Sequence, residues 1–209
     1  MIDLYTWATP NGRKISIMLE ELGVDYTAHA VDISQGEQKT PSFLSIGPNN
    51  KIPVIVDNET GQSVMESGAI LIYLAEKYGR FLPAQGHPRT EVFEWLMWQM
   101  SGLGPMCGQA HAYLRFNPGQ APYTEERLRA EVDRLYSVLD TRLKDREFIC
   151  ARYSIADMAV WPWVSRYEWH QADLTQFPNV RAWYKRLLAR EAVQKGYHVP
   201  NKVGEIPEG

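Results

Sequence analysis

The sequence predicts an α/β domain followed by an all-helical domain. The first 80 residues alternate short β-type runs with helical periodicity, whereas the β signal disappears after residue 88. Between these regions, residues 81–88 contain two prolines and a glycine, a composition typical of a linker. With 209 residues, of which 44% are hydrophobic and 22% charged, the chain has enough apolar side chains for an ordinary soluble core.

The first half of the α/β domain has the pattern of a βαβ unit. Residues 2–5 and residues 26–33 are predicted to form strands. Between them, apolar side chains recur at i, i+3, i+4 and i+7, which is one face of a helix, and Gly23 follows as a left-handed helix stop. A helical crossover between two strands implies that the strands are parallel. The apolar face consists of Ile15, Met18, Leu19 and Leu22.

The second half of this domain has the pattern of a hairpin and a helix. Residues 54–56 and 63–65 are β-type runs that flank a polar turn ending in Gly61, as in a β-hairpin. Residues 67–78 are predicted to form the next helix. The order βαβ followed by ββα is the thioredoxin-like arrangement, which we assign to residues 1–80.

The all-helical domain is predicted to cover residues 89–195. A long helix over residues 89–113 is expected to break at residues 102–105, where two glycines precede Pro105. Ser154 and Asp157 fit a capping box at the start of another helix. Residues 196–209 are predicted to form a mobile polar tail. The remaining helices are predicted over residues 123–145 and 178–190.

Charge and composition exclude several classes of protein. The net charge is −3 and no block of like charge is present, so we expect no nucleic-acid partner. The longest apolar run, residues 69–75, is far shorter than the roughly 20 residues of a membrane helix. No base precedes Arg13, so we expect no secretory signal and a cytoplasmic location. Cys107 and Cys150 form no C-x-x-C pair, and no cysteine–histidine spacing predicts a metal site.

The segment Thr9-Pro10-Asn11-Gly12 joins the first strand to the first helix. A helix amino terminus favours an anion, and a thiolate placed there has a lowered pKa. Thr9 and Asn11 are candidate hydrogen-bond donors to such a sulfur. The alternative is that one of these side chains only caps the helix.

Two further segments precede a strand and a helix. A cis bond between Ile52 and Pro53 would turn the backbone of Ile52 toward a peptide ligand, which could pair with it as an added strand. Ser67 and a helix amino terminus suit a carboxylate, and Glu66 suits an ammonium. Both charges occur at the γ-glutamyl end of glutathione. The alternative for Ser67 is again a structural cap.

Four motifs together resemble those of the glutathione transferases, and most closely the bacterial nu class of glutathione-dependent disulfide-bond oxidoreductases. The likeness runs from residue 1 to about residue 190 and implies the glutathione-transferase fold. It also implies a homodimer that uses glutathione as co-substrate, without a metal, in a cleft between the domains. The motifs are Thr9-Pro10-Asn11-Gly12, Asn50-Lys51-Ile52-Pro53, Glu66-Ser67-Gly68-Ala69-Ile70 and Tyr153-Ser154-Ile155-Ala156-Asp157.

The resemblance also implies roles for particular residues. Thr9 and Asn11 would face the sulfur of glutathione and act in catalysis. Tyr5 ranks below them, and Cys107 departs from the family pattern, which has an apolar residue there. The residues expected to bind glutathione are Asn11, Gln38, Lys51, Ile52, Glu66, Ser67 and Arg127.

Three functions are compatible with this site. The preferred one is the reduction of small disulfides by thiol–disulfide exchange with bound glutathione. The first alternative is a transferase that conjugates glutathione to carbon electrophiles. The second is a non-catalytic regulator, against which we count the start of the first strand at Ile2, with no Asn/Gln-rich arm before it.

Overall fold

The computed structural model describes residues 1–209. The chain forms two compact units. The first comprises Met1–Leu82 and Ala189–Ile206, and the second comprises Pro83–Leu188 and Pro207–Gly209. Residues 189–206, which the sequence assigned to the helical domain and the tail, therefore group with the α/β unit.

The first unit contains a four-stranded mixed sheet with the order β2-β1-β3-β4. Strand β1 pairs in parallel with β2 and antiparallel with β3, and β3 pairs antiparallel with β4. This confirms the predicted thioredoxin-like order. The strands are β1 (Ile2–Thr6), β2 (Tyr26–Ala30), β3 (Val54–Asp57) and β4 (Gln62–Met65).

Strand β2 is shorter than predicted. The Val31 N–H still donates to the Thr6 carbonyl at 2.9 Å, but the chain then turns. The Asp32 carboxylate accepts from the Ser34 N–H at 2.8 Å, a side-chain turn that competes with the extended conformation. The apolar residues at 31 and 33 therefore do not extend the strand.

Four helices belong to the first unit, and α1 and α3 pack against each other. Gly23 adopts the predicted left-handed conformation after α1, at φ 68°. The side chains of Ile15, Met18 and Leu19 are buried, as the periodicity predicted. The helices are α1 (Pro10–Leu22), α2 (Pro41–Leu44), α3 (Ser67–Tyr78) and α9 (Glu191–Tyr197).

Helix α9 joins the first unit because its contacts are with α1. The Ser16 hydroxyl donates to the Gly196 carbonyl at 2.6 Å, and a Cβ at Gly196 would lie 2.6 Å from the Ile17 nitrogen. Arg190 donates to both carboxylate oxygens of Glu21, at 2.5 and 2.8 Å. The two helices thus approach at backbone distance, which a sequence pattern within α9 does not reveal.

The second unit is helical, as predicted. Ser154 and Asp157 form the predicted capping box at the start of α7. The buried Asp157 carboxylate also accepts from the Ile149 N–H at 3.0 Å and the Trp183 indole N–H at 2.9 Å. Burial raises the pKa of Asp157 to about 6, and these hydrogen bonds oppose the rise. The α-helices are α4 (His87–Trp98), α5 (Gly104–Ala110), α6 (Pro122–Leu143), α7 (Ile155–Val164) and α8 (Pro178–Leu188).

The predicted break at residues 102–105 is wrong. Two π-helical segments, Gln99–Leu103 and His111–Phe116, link α4 and α5 and extend α5, so the backbone stays helical. Pro105 is the second residue of α5 and directly follows the π-helical segment Gln99–Leu103. A Cβ at Gly104 would lie 2.7 Å from the Gln99 amide nitrogen, so glycine permits close packing here.

None of the helices has both the length and the apolar composition needed to cross a bilayer. No group of three or more histidine, cysteine, aspartate or glutamate side chains is arranged to hold a metal ion.

Candidate functional site

The register of the sheet brings the predicted segments of the first unit to one end. Tyr5 lies opposite Val54, and Val54 lies opposite Met65. Strand β3 is antiparallel to both of its neighbours. The residues after β1, before β3 and after β4 therefore leave the sheet at the same end of the strands. Thr6 also pairs with Ala30, so the segment after β2 starts there as well. The candidate residues of this unit therefore share one end of the sheet.

Thr9 is the N-cap of α1, so its side chain does cap the helix. Its hydroxyl oxygen accepts from the Gly12 N–H at 3.2 Å. A hydroxyl that accepts still has a hydrogen to donate, so capping and donation to a sulfur are compatible. Gly12 is required sterically, because a Cβ there would lie 2.3 Å from the Trp7 carbonyl oxygen.

The amino terminus of α1 is suited to a negative charge. The helix has 13 residues, and no acidic side chain lies in its first turn. No acidic side chain in the first turn of α1 therefore offsets the positive end of its helix dipole. Asn11 lies in this turn and is half-buried, which leaves it accessible to a ligand.

The Ile52–Pro53 peptide bond is cis, the geometry that the sequence suggested. Ile52 is half-buried and packs against Val31, Phe43 and Val54. Its backbone N–H and C=O make no hydrogen bond within the protein, so both groups are open to an extended ligand. The neighbouring Lys51 is exposed.

The segment before α3 is strained. Glu66 has φ 70° and ψ 116°, which is unusual for a residue other than glycine. Such a conformation costs about 1–3 kcal/mol and is concentrated at functional sites. The Glu66 carboxylate accepts from the Asn49 amide at 3.0 Å and remains exposed.

The structural-cap alternative for Ser67 is wrong. Glu66 occupies the N-cap position, and Ser67 is the first residue of α3. The Ser67 hydroxyl accepts from Lys14 Nζ at 3.2 Å instead of capping the helix. One contact of the Ser67 side chain is thus with a lysine of the neighbouring helix α1.

Lys14 is a polar residue of this region that the sequence reasoning missed. It lies in α1 and is fully buried. Burial lowers the pKa of its ammonium to about 7, and the charge of Glu66 opposes this shift. The sequence held one indication that Lys14 is buried. It lies four residues before Met18 and therefore at the edge of the apolar face of α1.

Gln38 lies in a 3₁₀ turn, Glu37–Lys39, in the segment that follows β2. Its amide nitrogen donates to the Ile33 carbonyl at 3.5 Å, a long contact. Its amide oxygen is buried and has no hydrogen-bond partner. Gln38 therefore has an unused acceptor.

Arg127 is not part of the first unit. It is an exposed residue of α6, in the second unit, and its predicted role stays a prediction. Tyr5 stacks on His29, with ring centroids 4.6 Å apart, and lies on the sheet face opposite to Leu4. Tyr5 is thus part of a packed aromatic pair.

Neither cysteine has the environment of a nucleophile. Cys107 is fully buried and Cys150 nearly so. Burial raises the pKa of Cys107 well above its usual range and that of Cys150 to about 12. A reactive thiol needs a lowered pKa and exposure, and both thiols have the opposite.

Comparison with known families finds two matching models, which together cover most of the chain. The model described as "Glutathione S-transferase, N-terminal domain" matches residues 1–76. The model described as "Glutathione S-transferase, C-terminal domain" matches residues 122–186. A relative from Escherichia coli K12, "Disulfide-bond oxidoreductase YfcG", is 46% identical over 198 residues, which cover 92% of each chain.

Solved structures agree with this likeness. A glutathione transferase from Pseudomonas putida, with one glutathione disulfide bound per subunit, is 42% identical with a TM-score of 0.90. The match covers 96% of this chain and 92% of that chain. A family member from Pseudomonas fluorescens, with two glutathione molecules bound, is 42% identical with a TM-score of 0.89, covering 95% and 93%.

Proposed function

The chain belongs to the glutathione S-transferase family, and on that premise we propose that it reduces small disulfides with bound glutathione. The proposal depends on a contrast between the environments of the two protein thiols and the amino terminus of α1, where the sulfur of a ligand would lie. Cys107 and Cys150 are buried with raised pKa values. The amino terminus of α1, by contrast, offers a ligand thiolate the Thr9 hydroxyl and the positive end of a helix dipole. No acidic side chain lies in the first turn of this helix.

The binding mode follows from the groups at the shared end of the sheet. The backbone N–H and C=O of Ile52 pair with the cysteinyl residue of glutathione, which places its sulfur toward Thr9 and Asn11. Ser67 and Glu66 bind the carboxylate and the ammonium of the γ-glutamyl residue. Gln38, Lys51 and Arg127 are proposed to complete the glutathione site.

The chemistry is two successive thiol–disulfide exchanges. The thiolate of bound glutathione attacks one sulfur of the substrate disulfide, the S–S bond breaks, and one thiolate leaves with its electron pair and takes up a proton. A second glutathione thiolate attacks the mixed disulfide and releases the second thiol and glutathione disulfide. Two glutathione thiols are oxidised for each disulfide reduced, and the protein contributes position and electrostatics.

Thiolate formation is the step that the α1 terminus assists. A free thiol has a pKa of about 8.5, so only a few per cent is ionised at pH 7. A helix amino terminus and a hydroxyl donor stabilise the anion and increase that fraction. The YfcG relative carries a name that describes disulfide-bond oxidoreduction, which supports this reaction over others in the family.

The test compares two substrates with the same enzyme and glutathione. We expect turnover of bis(2-hydroxyethyl) disulfide to exceed conjugation of 1-chloro-2,4-dinitrobenzene, as measured by glutathione disulfide formation and by thioether absorbance. Cysteinylglycine in place of glutathione is the control, because it lacks the γ-glutamyl group. Conjugation without disulfide reduction would establish the transferase alternative, and glutathione binding without either reaction would establish the regulator.

We also propose that the protein is a homodimer and that it is located in the cytoplasm. The free state of Cys107 and Cys150 is compatible with a reducing compartment. Light scattering with size-exclusion chromatography measures the oligomeric state directly, and a mass of 24.0 kDa would contradict the dimer.

A further inference from the structure

Residues 207–209 pack against the helical second unit, with which they group. The Pro207 carbonyl accepts from the Tyr184 hydroxyl at 2.6 Å, and the main-chain oxygen of Gly209 accepts from Arg181 Nη2 at 3.3 Å. Side chains of the second unit thus hold main-chain atoms of this segment. We call the surface that receives the segment the tail niche, and its residues are Tyr167, Leu174, Arg181 and Tyr184.

The tail niche is built from buried groups of the second unit. Tyr184 and Leu174 are buried, and the Tyr184 ring is stacked on Trp161 with the ring centroids 5.1 Å apart. The Trp161 indole N–H also donates to the Tyr184 carbonyl at 3.1 Å. Arg181 Nε is a buried donor without a hydrogen-bond partner. The niche therefore combines an apolar wall with a few placed donors, as binding sites do.

The last position of the segment is suited to glycine. Gly209 has φ 77°, which lies in the left-handed region that residues with a side chain rarely adopt. A Cβ there would lie 2.6 Å from Tyr184 Cδ1 and 2.9 Å from Tyr184 Cε1. Both atoms belong to the ring that is stacked on Trp161, so the clash falls on a packed aromatic group. Backbone conformation and sterics thus both select glycine.

The other two residues of the segment differ in exposure. Pro207 is half-buried like Gly209, whereas Glu208 is exposed. The proline ring fixes φ, so the segment has less conformational entropy to lose when it binds. The niche therefore contacts the first and last residues of a Pro-x-Gly pattern and leaves the middle residue in solvent.

We propose that the tail niche is a peptide-recognition site for Pro-x-Gly segments, and that the chain fills it with its own residues 207–209. The segment is recognised by its main-chain oxygens and by the absence of a side chain at the last position. Because it is tethered, it acts at an effective concentration of roughly millimolar and excludes the same segment of other molecules. This inference is independent of the proposed function, since no residue of the niche belongs to the proposed glutathione site.

The experiment adds a fluorescein-labelled peptide with the sequence of residues 203–209 to the full chain and measures its fluorescence anisotropy. In the parent protein the tethered segment fills the niche, so we expect little binding. Gly209→Ala keeps the chain length but displaces its own segment, so this variant should bind the peptide at least roughly tenfold more tightly. Val203→Ala, at an exposed residue outside the niche, is the matched control and should behave as the parent.

Two further changes test the recognition itself. A peptide that ends in alanine should bind the Gly209→Ala protein roughly tenfold more weakly than the glycine peptide, because its methyl group meets the Tyr184 ring. In the same background, Arg181→Met should weaken binding of the glycine peptide roughly tenfold, since it removes a charged donor. Arg186→Met is the control on the same helix, because Arg186 donates to the Glu147 carbonyl outside the niche.

A measurement on the unmodified protein needs no variant. Carboxypeptidase should release the last residue from the parent at least roughly tenfold more slowly than from the free peptide, because the segment must leave the niche before it is cut. Circular dichroism establishes that each variant used in the binding experiment is folded.

Four results would overturn the inference. A folded Gly209→Ala protein that binds the peptide no better than the parent would mean that the niche is not a peptide site. Equal affinity for the two peptides would mean that glycine is not selected. Equal release rates from the parent and the free peptide would show that the segment does not occupy the niche. A parent that binds the peptide only on dilution would assign the occupant to a second copy of the chain.

Discussion

At the scale of single residues, two hydroxyl groups beside two helix ends have different partners. The Thr9 oxygen accepts from the Gly12 N–H and caps α1. The Ser67 oxygen accepts from the buried Lys14 Nζ, and Ser67 is the first residue of α3 rather than its N-cap. Because a cap stabilises the helix itself, Thr9 has a structural role in any state of the site. The Ser67 hydroxyl, by contrast, is hydrogen-bonded to the side chain of a buried lysine on another helix.

Asn11 gives the sharpest test of thiolate stabilisation. Asn11→Ala removes a donor near the proposed sulfur, and a hydrogen bond to a charged group contributes about 1.5–3 kcal/mol. We therefore expect kcat/KM for disulfide reduction to fall roughly ten- to a hundredfold, since each 1.4 kcal/mol corresponds to tenfold. Thr9→Ser keeps the hydroxyl and is the matched variant, with nearly unchanged kinetics.

The pH dependence of this variant separates chemistry from binding. Ultraviolet absorbance follows the thiolate of bound glutathione, and its apparent pKa should move upward in Asn11→Ala. An unchanged pKa would assign thiolate stabilisation to other groups and leave Asn11 as a binding residue only.

Lys14 marks the limit of sequence reasoning at this scale. Thr9, Asn11, Glu66 and Ser67 became candidates from sequence because each lies beside a strand or helix end, where polar side chains have recognisable uses. Lys14 lies within a helix, and lysine is normally a solvated residue there. Its burial depends on the packing of α3 against α1, which local sequence does not encode.

At the scale of elements, the capping box of α7 organises more than its own helix. The Asp157 carboxylate accepts from the backbone of Ser154 and Ile149 and from the indole of Trp183 on α8. One side chain thus ties a helix start to the preceding loop and to a neighbouring helix. All of these donors are buried or nearly so, which makes their partner costly to remove.

Two replacements of Asp157 should separate the loss of both acceptor oxygens from the loss of one. Asp157→Ala leaves three buried donors without a partner and should lower the free energy of unfolding by about 3–5 kcal/mol. Asp157→Asn keeps one oxygen, which serves Ile149 and Trp183, and should cost about 1–3 kcal/mol. Urea denaturation measures both values. Equal losses for the two variants would show that the bond to Ser154 dominates.

The contact of α9 with α1 provides a second test at this scale. Gly196→Ala would place a Cβ within 2.7 Å of the Ile17 backbone, a distance that requires the helices to separate. We expect a loss of about 1–3 kcal/mol, the range for overpacking. Ala192→Gly is the control for helix propensity, with a cost of about 1 kcal/mol. A Gly196→Ala protein as stable as the parent would contradict the tight packing.

Elements were predictable to the extent that their signals are local. Apolar periodicity and helix stops indicated α1 and α3, and the polar turn indicated the hairpin of β3 and β4. The π-helical Gln99–Leu103 was mistaken for a break because glycines and a proline usually end a helix. Here Gly104 leaves room for Gln99, five residues earlier in the same helical run, and for Trp163 of α7, a contact that depends on the tertiary structure.

At the scale of the whole molecule, the central question is which sulfur does the chemistry. Both protein thiols belong to the helical second unit, whereas the thiolate-favouring helix terminus belongs to the first. Burial raises the pKa of each protein thiol, so neither is a ready nucleophile at neutral pH. A mechanism in which the ligands supply every reacting sulfur therefore predicts that the protein needs no cysteine.

The variant that combines Cys107→Ala with Cys150→Ser tests this mechanism. We expect most of the disulfide reductase activity to remain, because no reacting atom is removed. Stability should fall by about 1–3 kcal/mol, since both thiols are buried in the folded protein. Activity is therefore measured well below the melting temperature, and circular dichroism establishes that the variant is folded. A folded double variant without activity would mean that a protein thiol takes part in the exchange. The single variants would then distinguish the two, and Cys107→Ala alone should reproduce the loss if the fully buried thiol becomes exposed during turnover.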